Sequence, residues 1–518
     1  MLHRAFLLTA LVLAATGCGG VKTGGGGNAG DALAYLASDS ATVIFVSTDV
    51  DGDQWEELDR RVIRQFEADE GRPKSLDEYA SEAAKSAGLD WVDDVKPLLG
   101  NDIAIGIEGD PMTFLGGDGE ASVTAALETR EGDVQEVLEK ARFERDGEAS
   151  GATLFRAPDD DDVTVAEEDG VLVFSNDENA LRRALERRDD GQGLEQKAVE
   201  DGLSGLPTAA LVRAFGTAER LADQEQLRRF ASIPLVQALE SWGLTVSFRQ
   251  DDLNVDASVR LDGEQLDEAD LPLVTGGESP EVVIRPGEIS GGNRNQSQTT
   301  AFLLRALRAG YPDSRFVKAA DAIEQELGID FEQEILRQFD GPSASYVSQD
   351  GKIFAARSEV RDPEALKAVL PKIAPHLPAL VEGLQGLESQ GMALLFLFAP
   401  DAPAAAPMQG VKVDPPATED GFYRVSGLTG EGPSELYLGL VGDVFVVASD
   451  EQRAREIAKA DTEPADGAKG AGVLRADLTR LGQLTGAFFF PIKGKELVAS
   501  LEASIDELRA RVRVELDD

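Results

Sequence analysis

Hydrophobic positions recur along this chain in two rhythms, and its first folded stretch shows both. Val43, Ile44, Phe45 and Val46 make a short apolar run of strand type. Trp55, Leu58, Val62, Ile63 and Phe66 then fall on one stripe at helical spacing, which predicts a helix over residues 54–68 ended by Gly71. Ser75 and Glu78 form a capping box that opens a second helix, and Gly88 closes it. Ile103, Ile105 and Ile107 alternate with Ala104, Gly106 and Glu108, as a strand does, and Val123, Ala125 and Leu127 repeat the pattern. A helix over 133–141, strands at 153–156, 163–166 and 171–175, and a helix over 177–188 follow. Further on come a strand at 211–215, a mainly helical stretch over 224–242, and a strand pair at 244–248 and 253–261. Residues 263–297 are acidic, then rich in Gly, Pro and Asn. Phe302, Leu303, Leu304 and Leu307 mark an apolar helix over 299–309, and residues 392–398 read as a buried strand.

The second half echoes the first. DVQEVLEKA at 133–141 is matched by DPEALKAVL at 362–370, and GVLVFSNDENALRRALE at 170–186 by GDVFVVASDEQRAREIAK at 442–459. LVRAF at 211–215 is matched by VLRAD at 473–477, LVQALESW at 235–242 by LVASLEAS at 497–504, and LNVDASVRLDG at 253–263 by LRARVRVELDD at 508–518. Five matches in one order predict a duplication. The expected fold class is therefore α+β: two tandem, duplicated modules, each a mainly antiparallel sheet with helices packed on a face. The boundaries are 31–263 for the first module, 264–298 for a linker or excursion, and 299–518 for the second. Three details follow. Asp177 and Asp450 should each sit at a helix start. The closing strands should occupy one sheet position and turn Val255, Ala257 and Val259, or Ala510, Val512 and Val514, inward. The strand at 244–248 has no counterpart before residue 508, so the second sheet should be one strand poorer.

Ahead of the first module, His3 and Arg4 precede an apolar run over residues 5–16. That run is too short to span a bilayer as a helix, which needs roughly 20 residues. With small residues following it, residues 1–17 read as a secretory signal peptide. Ala15-Thr16-Gly17-Cys18 resembles the lipobox of bacterial lipoproteins, with Ala15 where Leu is usual. In that family, cleavage falls before the cysteine, which then carries lipid. Cys18 is the single cysteine of 518 residues, and GGVKTGGGGNAG follows it. Residues 18–30 thus become a lipidated cysteine and a Gly-rich tether. The GGGG run lacks the following GK[ST] and the preceding strand of a phosphate loop.

The chain carries 50 Lys and Arg against 95 Asp and Glu, a formal charge of −45. Nucleic acid and bare anionic lipid would be repelled. No disulfide is available, so ordinary hydrophobic cores must hold the fold. Chemistry is sparse. Past the signal peptide, the one histidine is His376, in an apolar segment, and a structural role is expected for it. There is no G-x-S-x-G, no HExxH and no Cys/His pair with metal spacing. Asp49-Val50-Asp51-Gly52-Asp53 alternates carboxylates beside a glycine, but its Gly is fourth where a calcium loop wants it sixth, and Arg60 stands where such a loop wants Glu. A turn with Asp53 capping the next helix is the expectation, and the acid run 159–162 reads as a solvated hairpin tip. No catalytic residue, metal ligand or cofactor is assigned, and the one assigned site residue is Cys18, for lipid attachment.

ALAYLASDSATVIFVSTDVDGDQWEEL at 32–58 and LDWVDDVKPLLGNDIAIGIEG at 89–109 resemble the uncharacterised bacterial envelope family catalogued as domain of unknown function 3352. Asp90, Asp94, Val95, Pro97, Leu99 and Gly100 fit its Asp-x-x-x-Asp-Val-x-Pro-x-Leu-Gly segment, while Ala37 replaces a usual Pro. The resemblance implies an envelope location and brings no activity. The expected function is a lipid-anchored, extracytoplasmic, non-catalytic binding or scaffold role. Its partners are the membrane, through the anchor, and an envelope protein. The alternative is a carrier of lipid or another apolar ligand between sheet and helices, and a hydrolase with an unmarked carboxylate site is third.

Overall fold

A computed structural model describes residues 29–63, 75–109, 122–157, 160–217, 228–250, 252–283, 285, 288–348, 351–388, 410–418, 421–428, 433–465, 468–481 and 494–516. The expectations placed on residues 1–28, Cys18 among them, and on 392–398 lie outside these. The chain is α+β and divides into two compact units, one comprising residues up to Gln224 with Glu240–Val259, the other Glu225–Leu239 with Arg260–Leu516.

The first unit is built on β1 (Thr42–Val46), β2 (Ile103–Glu108), β3 (Ser122–Glu128), β4 (Glu144–Ala149), β5 (Ala152–Ala157), β6 (Asp160–Glu168), β7 (Val171–Ser175), β8 (Val212–Thr217), β9 (Leu239–Arg249) and β10 (Asp252–Leu261). Their order across the sheet is β4-β5-β6-β7-β3-β2-β1-β8-β9-β10. Phe45, Ala104, Ala126 and Val173 lie opposite one another on adjacent strands. They are buried with Ala32, Leu33 and Tyr35 of the turn Gly30–Tyr35, with Leu36 after it, and with Leu181, Ala184 and Leu185 of the helix Glu178–Asp190. On the reverse face Ile103 and Leu127 pack against Ala80, Ala84, Trp91 and Val95, and Leu172 packs against Val134 and Leu138. Helices therefore cover both faces, not the one expected. The alanines of β2 and β3 look like a weak outer face in sequence, but their small size lets backbone approach closely, and Ala104 and Ala126 are fully buried.

The second unit holds β11 (Glu281–Val282), β12 (Glu288–Asn293), β13 (Ser343–Ser348), β14 (Phe354–Glu359), β15 (Lys412–Asp414), β16 (Tyr423–Ser426), β17 (Glu435–Val441), β18 (Val444–Ala448), β19 (Glu463–Pro464), β20 (Gly472–Asp477), β21 (Gly494–Ala503) and β22 (Glu507–Leu516). β11 and β19 make a separate two-stranded ribbon. The others run β15-β16-β17-β18-β14-β13-β12-β20-β21-β22, which repeats the order of the first unit strand for strand. Helix caps repeat as well. Asp133 and Asp362 cap the helices that follow β3 and β14. Asp177 and Asp450 cap those that follow β7 and β18, each accepting from a free backbone N–H.

Three expectations change. β21 is the counterpart of β9, so the second sheet is not one strand poorer. The LVQALESW match pairs unlike structures: Pro234–Gln237 is one helical turn, β9 begins at Leu239, and residues 497–503 lie in β21. Residues 264–298 are not merely a linker, since they supply β12, a central strand, and bury Leu271 completely. The Gln298 amide ties that segment down by donating to the carbonyls of Glu268 (2.9 Å), Leu271 (3.1 Å) and Leu273 (2.9 Å). Of the six closing-strand residues expected inward, Val255 and Val514 are buried, while Ala257, Val259, Ala510 and Val512 are half-buried. Asp256 and Ser258, of the opposite parity, are buried too, Asp256 against Arg249.

Candidate functional site

The two stretches that carry the family pattern meet at one end of the first sheet, where β1 stops and β2 starts. Beyond Val46 the chain closes into consecutive tight turns, Val50 N donating to Thr48 O and Gly52 N to Asp49 O, both at 2.8 Å. The Thr48 hydroxyl is fully buried. It accepts from Gly100 N at 2.9 Å and donates to Asn101 O, so one side chain joins both stretches. Lys96 Nζ lies 3.0 Å from Asp51 Oδ1 and adds an ion pair between them. Gly52, not Asp53, is the N-cap of the short helix Asp53–Leu58. A side chain at Gly52 would place Cβ 2.6 Å from Asp49 Oδ2. Gln54 does what a strand neighbour would do: its amide donates to Phe248 O at 2.9 Å and accepts from Phe248 N at 2.7 Å. Trp55 Nε1 donates to Ser47 O at 2.9 Å.

The second stretch is held by reciprocal caps. Asp90 Oδ1 accepts from Val92 N and Asp93 N, and Asp94 Oδ2 accepts from Asp90 N at 2.8 Å. Lys140 Nζ reaches Asp94 Oδ1 at 2.7 Å, and these hydrogen bonds hold the Asp94 carboxyl below the usual carboxylate range. Pro97 O and Leu98 O accept from Glu131 N and Arg130 N. Gly100 has φ +134°, and a Cβ there would lie 2.9 Å from Arg130 Cδ, so this close turn requires glycine.

Under these loops Asp102, 2% exposed, pairs with Arg213, whose guanidinium also lies 5.3 Å from the Phe45 ring centroid. Burial outweighs Arg213 and leaves the Asp102 carboxyl above its ordinary range. Burial, helped by Asp51 and opposed by Arg130, raises Asp49 as well. Asp51 and Asp102 each have a cationic partner. Among the described residues no three His, Cys, Asp or Glu side chains gather into a group that could hold a metal ion.

A second buried cluster had no sequence signal. Tyr35 donates to Glu168 Oε2 at 3.1 Å, and Arg188 contacts Glu168 Oε1 and Asp169 Oδ2, both at 2.6 Å. Burial, followed by Glu168, pushes the Tyr35 hydroxyl up. Burial also raises Glu168, against the pull of Tyr35 and Arg188. The cluster joins residues far apart in sequence, 133 positions in the Tyr35–Glu168 case, which is why local pattern could not find it. His376 sits far along the chain in the turn Ala374–His376, with Nε2 3.6 Å from Glu326 Oε2, and belongs to neither cluster.

The polar side chains described at this end of the sheet thus bond to one another, to backbone, and to Lys140 and Arg213. No curated protein matches this chain. Among solved structures, crystal forms III and I of TP0453 are similar at 11% and 10% identity. They cover 44% and 48% of this chain and 79% and 88% of their own, with a TM-score of 0.26 in each case, too low to carry an argument. A family model described as "Protein of unknown function (DUF3352)" matches residues 6–365. With more than half of its length matched, both signature segments included, the chain belongs to that family.

Proposed function

We propose that this is a lipid-anchored protein of the extracytoplasmic face of the cell envelope, with a non-catalytic binding or scaffold role, and that its two units descend from one duplicated module. The observation that carries the anchor is the position of Cys18. The single cysteine of the chain stands directly after a signal-like apolar run and directly before a Gly-rich stretch. The non-catalytic role draws support from the signature loops, where Asp51, Asp90, Asp94 and Asp102 are engaged in caps and ion pairs. The duplication draws support from the common strand order. The envelope partner is a protein, and the strongly negative charge sets nucleic acid aside.

The test pairs fractionation with capture. Wild-type protein should reside in the membrane fraction, and Cys18→Ala should leave it unprocessed or release it. Crosslinking of wild-type protein in intact cells should then recover a defined protein partner. Native mass spectrometry without detergent separates the rival role: a co-purified lipid bound in the body of the protein would establish a carrier instead of a scaffold.

A further inference from the structure

We infer that the end of the first sheet carrying the signature loops is the surface turned toward the lipid headgroups. This rests on the reading of Cys18 as the lipid attachment site. From Ala29 onward the chain is held against the first sheet. Ala32 and Leu36 are fully buried and Tyr35 is 1% exposed. Leu194 N donates to Leu33 O and Leu36 O, both at 3.0 Å, and Arg187 Nη1 to Tyr35 O at 3.1 Å. A Cβ at Gly193 would lie 2.3 Å from Ala34 O, so this turn has no slack to pay out. At its start, Asp31 N donates to Glu128 Oε2 at 3.0 Å, and Glu128 is the last residue of β3.

That contact fixes the end of the sheet at which the tether leaves. Leu127 lies opposite Ile103, the first residue of β2, and Ile103 lies opposite Val46, the last of β1. Glu128 lies opposite Val171, the first of β7. The loops at this end are therefore Ser47–Gly52, Leu99–Asp102, Thr129–Asp133 and Asp169–Gly170.

The reach of the tether does the rest. Eleven residue steps separate Cys18 from Ala29, which even fully extended span no more than about 40 Å. A Gly-rich coil of that length averages roughly 18 Å end to end. A unit of about 200 residues has a radius of gyration near 16 Å, hence a body roughly 40 Å across. Passing round such a body from pole to pole takes roughly 65 Å of chain, beyond what the tether supplies. The exit end cannot be turned away from the membrane. Its exposed charges include Asp53, Glu131, Asp133 and Asp169, so it meets an anionic headgroup layer through the tether and not through charge attraction.

The experiment uses the full-length lipidated protein on vesicles of phosphatidylethanolamine and phosphatidylglycerol containing a nitroxide-headgroup lipid. Lipid consumes the Cys18 thiol and no other cysteine exists, so one introduced cysteine can carry a fluorophore. Glu131→Cys places it at the exit end. Asn179→Cys places it at the opposite end, in the first turn of the helix that follows β7. Quenching should be several-fold stronger at residue 131 than at residue 179. A lipidated, vesicle-bound protein with equal or reversed quenching overturns this inference alone. A protein that carries no lipid and does not float with the vesicles overturns both the inference and the anchor on which it rests.

Discussion

Arg213 reaches Asp102 across strands 111 positions apart in sequence, and both side chains are largely shielded from water. Taking away one partner of such a pair leaves a buried charge without its counter-charge. Arg213→Met should lower stability by about 3–5 kcal/mol. Adding Asp102→Asn should recover part of that loss. Urea denaturation measures both, and a single variant as stable as wild type would contradict the pairing. Two carboxyls of the signature stretches, Asp49 and Asp94, should respond to pH with opposite sign. Asp49 is raised, so the folded state binds its proton more readily than the unfolded chain. The stability this contributes is present at low pH and lost as pH rises through the folded value. Asp49→Asn should therefore gain most over wild type at neutral pH and little under acid. Asp94 is lowered, so its contribution is present above the unfolded value and lost as pH falls through the folded one. Asp94→Asn should cost stability at neutral pH and nothing in acid. Denaturation midpoints across the carboxylate range distinguish the two. At this scale the sequence was legible where a residue acts on its own neighbours. Asp177 and Asp450 announce themselves as caps because the N–H they serve lies two or three residues away. Asp102 and Glu168 announce nothing, since their partners are set by the sheet.

Between residues and domains, the signature stretch is a small device with two editions. Gly88-Leu89-Asp90-Trp91 precedes β2, and Gly328-Ile329-Asp330-Phe331 precedes β13. Gly88 and Gly328 both have positive φ, at +81° and +64°. Asp90 N donates to Asp94 at 2.8 Å, and Asp330 N donates to Glu334 at 3.0 Å. Trp91 with Val95, and Phe331 with Ile335, are buried. If these are copies, corresponding residues should exchange. The full chain with Leu89→Ile, Trp91→Phe, Asp94→Glu and Val95→Ile should unfold cooperatively, with a loss no greater than about 3 kcal/mol. An unfolded product would count against the duplication. Gly100→Ala should cost about 1–3 kcal/mol through its backbone conformation, read by thermal unfolding; an unchanged midpoint would contradict that conformation. This pair of segments gives little sequence signal because only Gly and Asp are identical; Leu89/Ile329, Trp91/Phe331, Asp94/Glu334 and Val95/Ile335 are conservative, while Val92 stands against Glu332. The opposite holds at the end of the stretch 224–242, expected to be mainly helical. There Pro234 starts one turn, and pairing of β9 with β8 then imposes the strand. Alternation located β2 and β3 well, but their alanines concealed the second buried face.

For the molecule as a whole, charge and anchoring set the expectations. At −45 the folded protein repels itself, so moderate salt should raise its melting temperature, and a fall across the same range would contradict that balance. Among the described residues no helix is long and apolar enough to cross a membrane. The proposed attachment rests instead on the sequence around Cys18. The α+β fold class was legible because strand alternation and helical spacing are local patterns. The course of residues 264–298 was not, because a segment rich in Gly, Pro and Asn reads as a linker even when it contributes a central strand. The central claim is the anchor, and the most direct measurement is the intact mass of the protein recovered from the membrane fraction. The account predicts a chain beginning at Cys18 and heavier than its sequence by covalent lipid. A chain recovered wholly in the soluble fraction, with a free Cys18 thiol and no added mass, would contradict it.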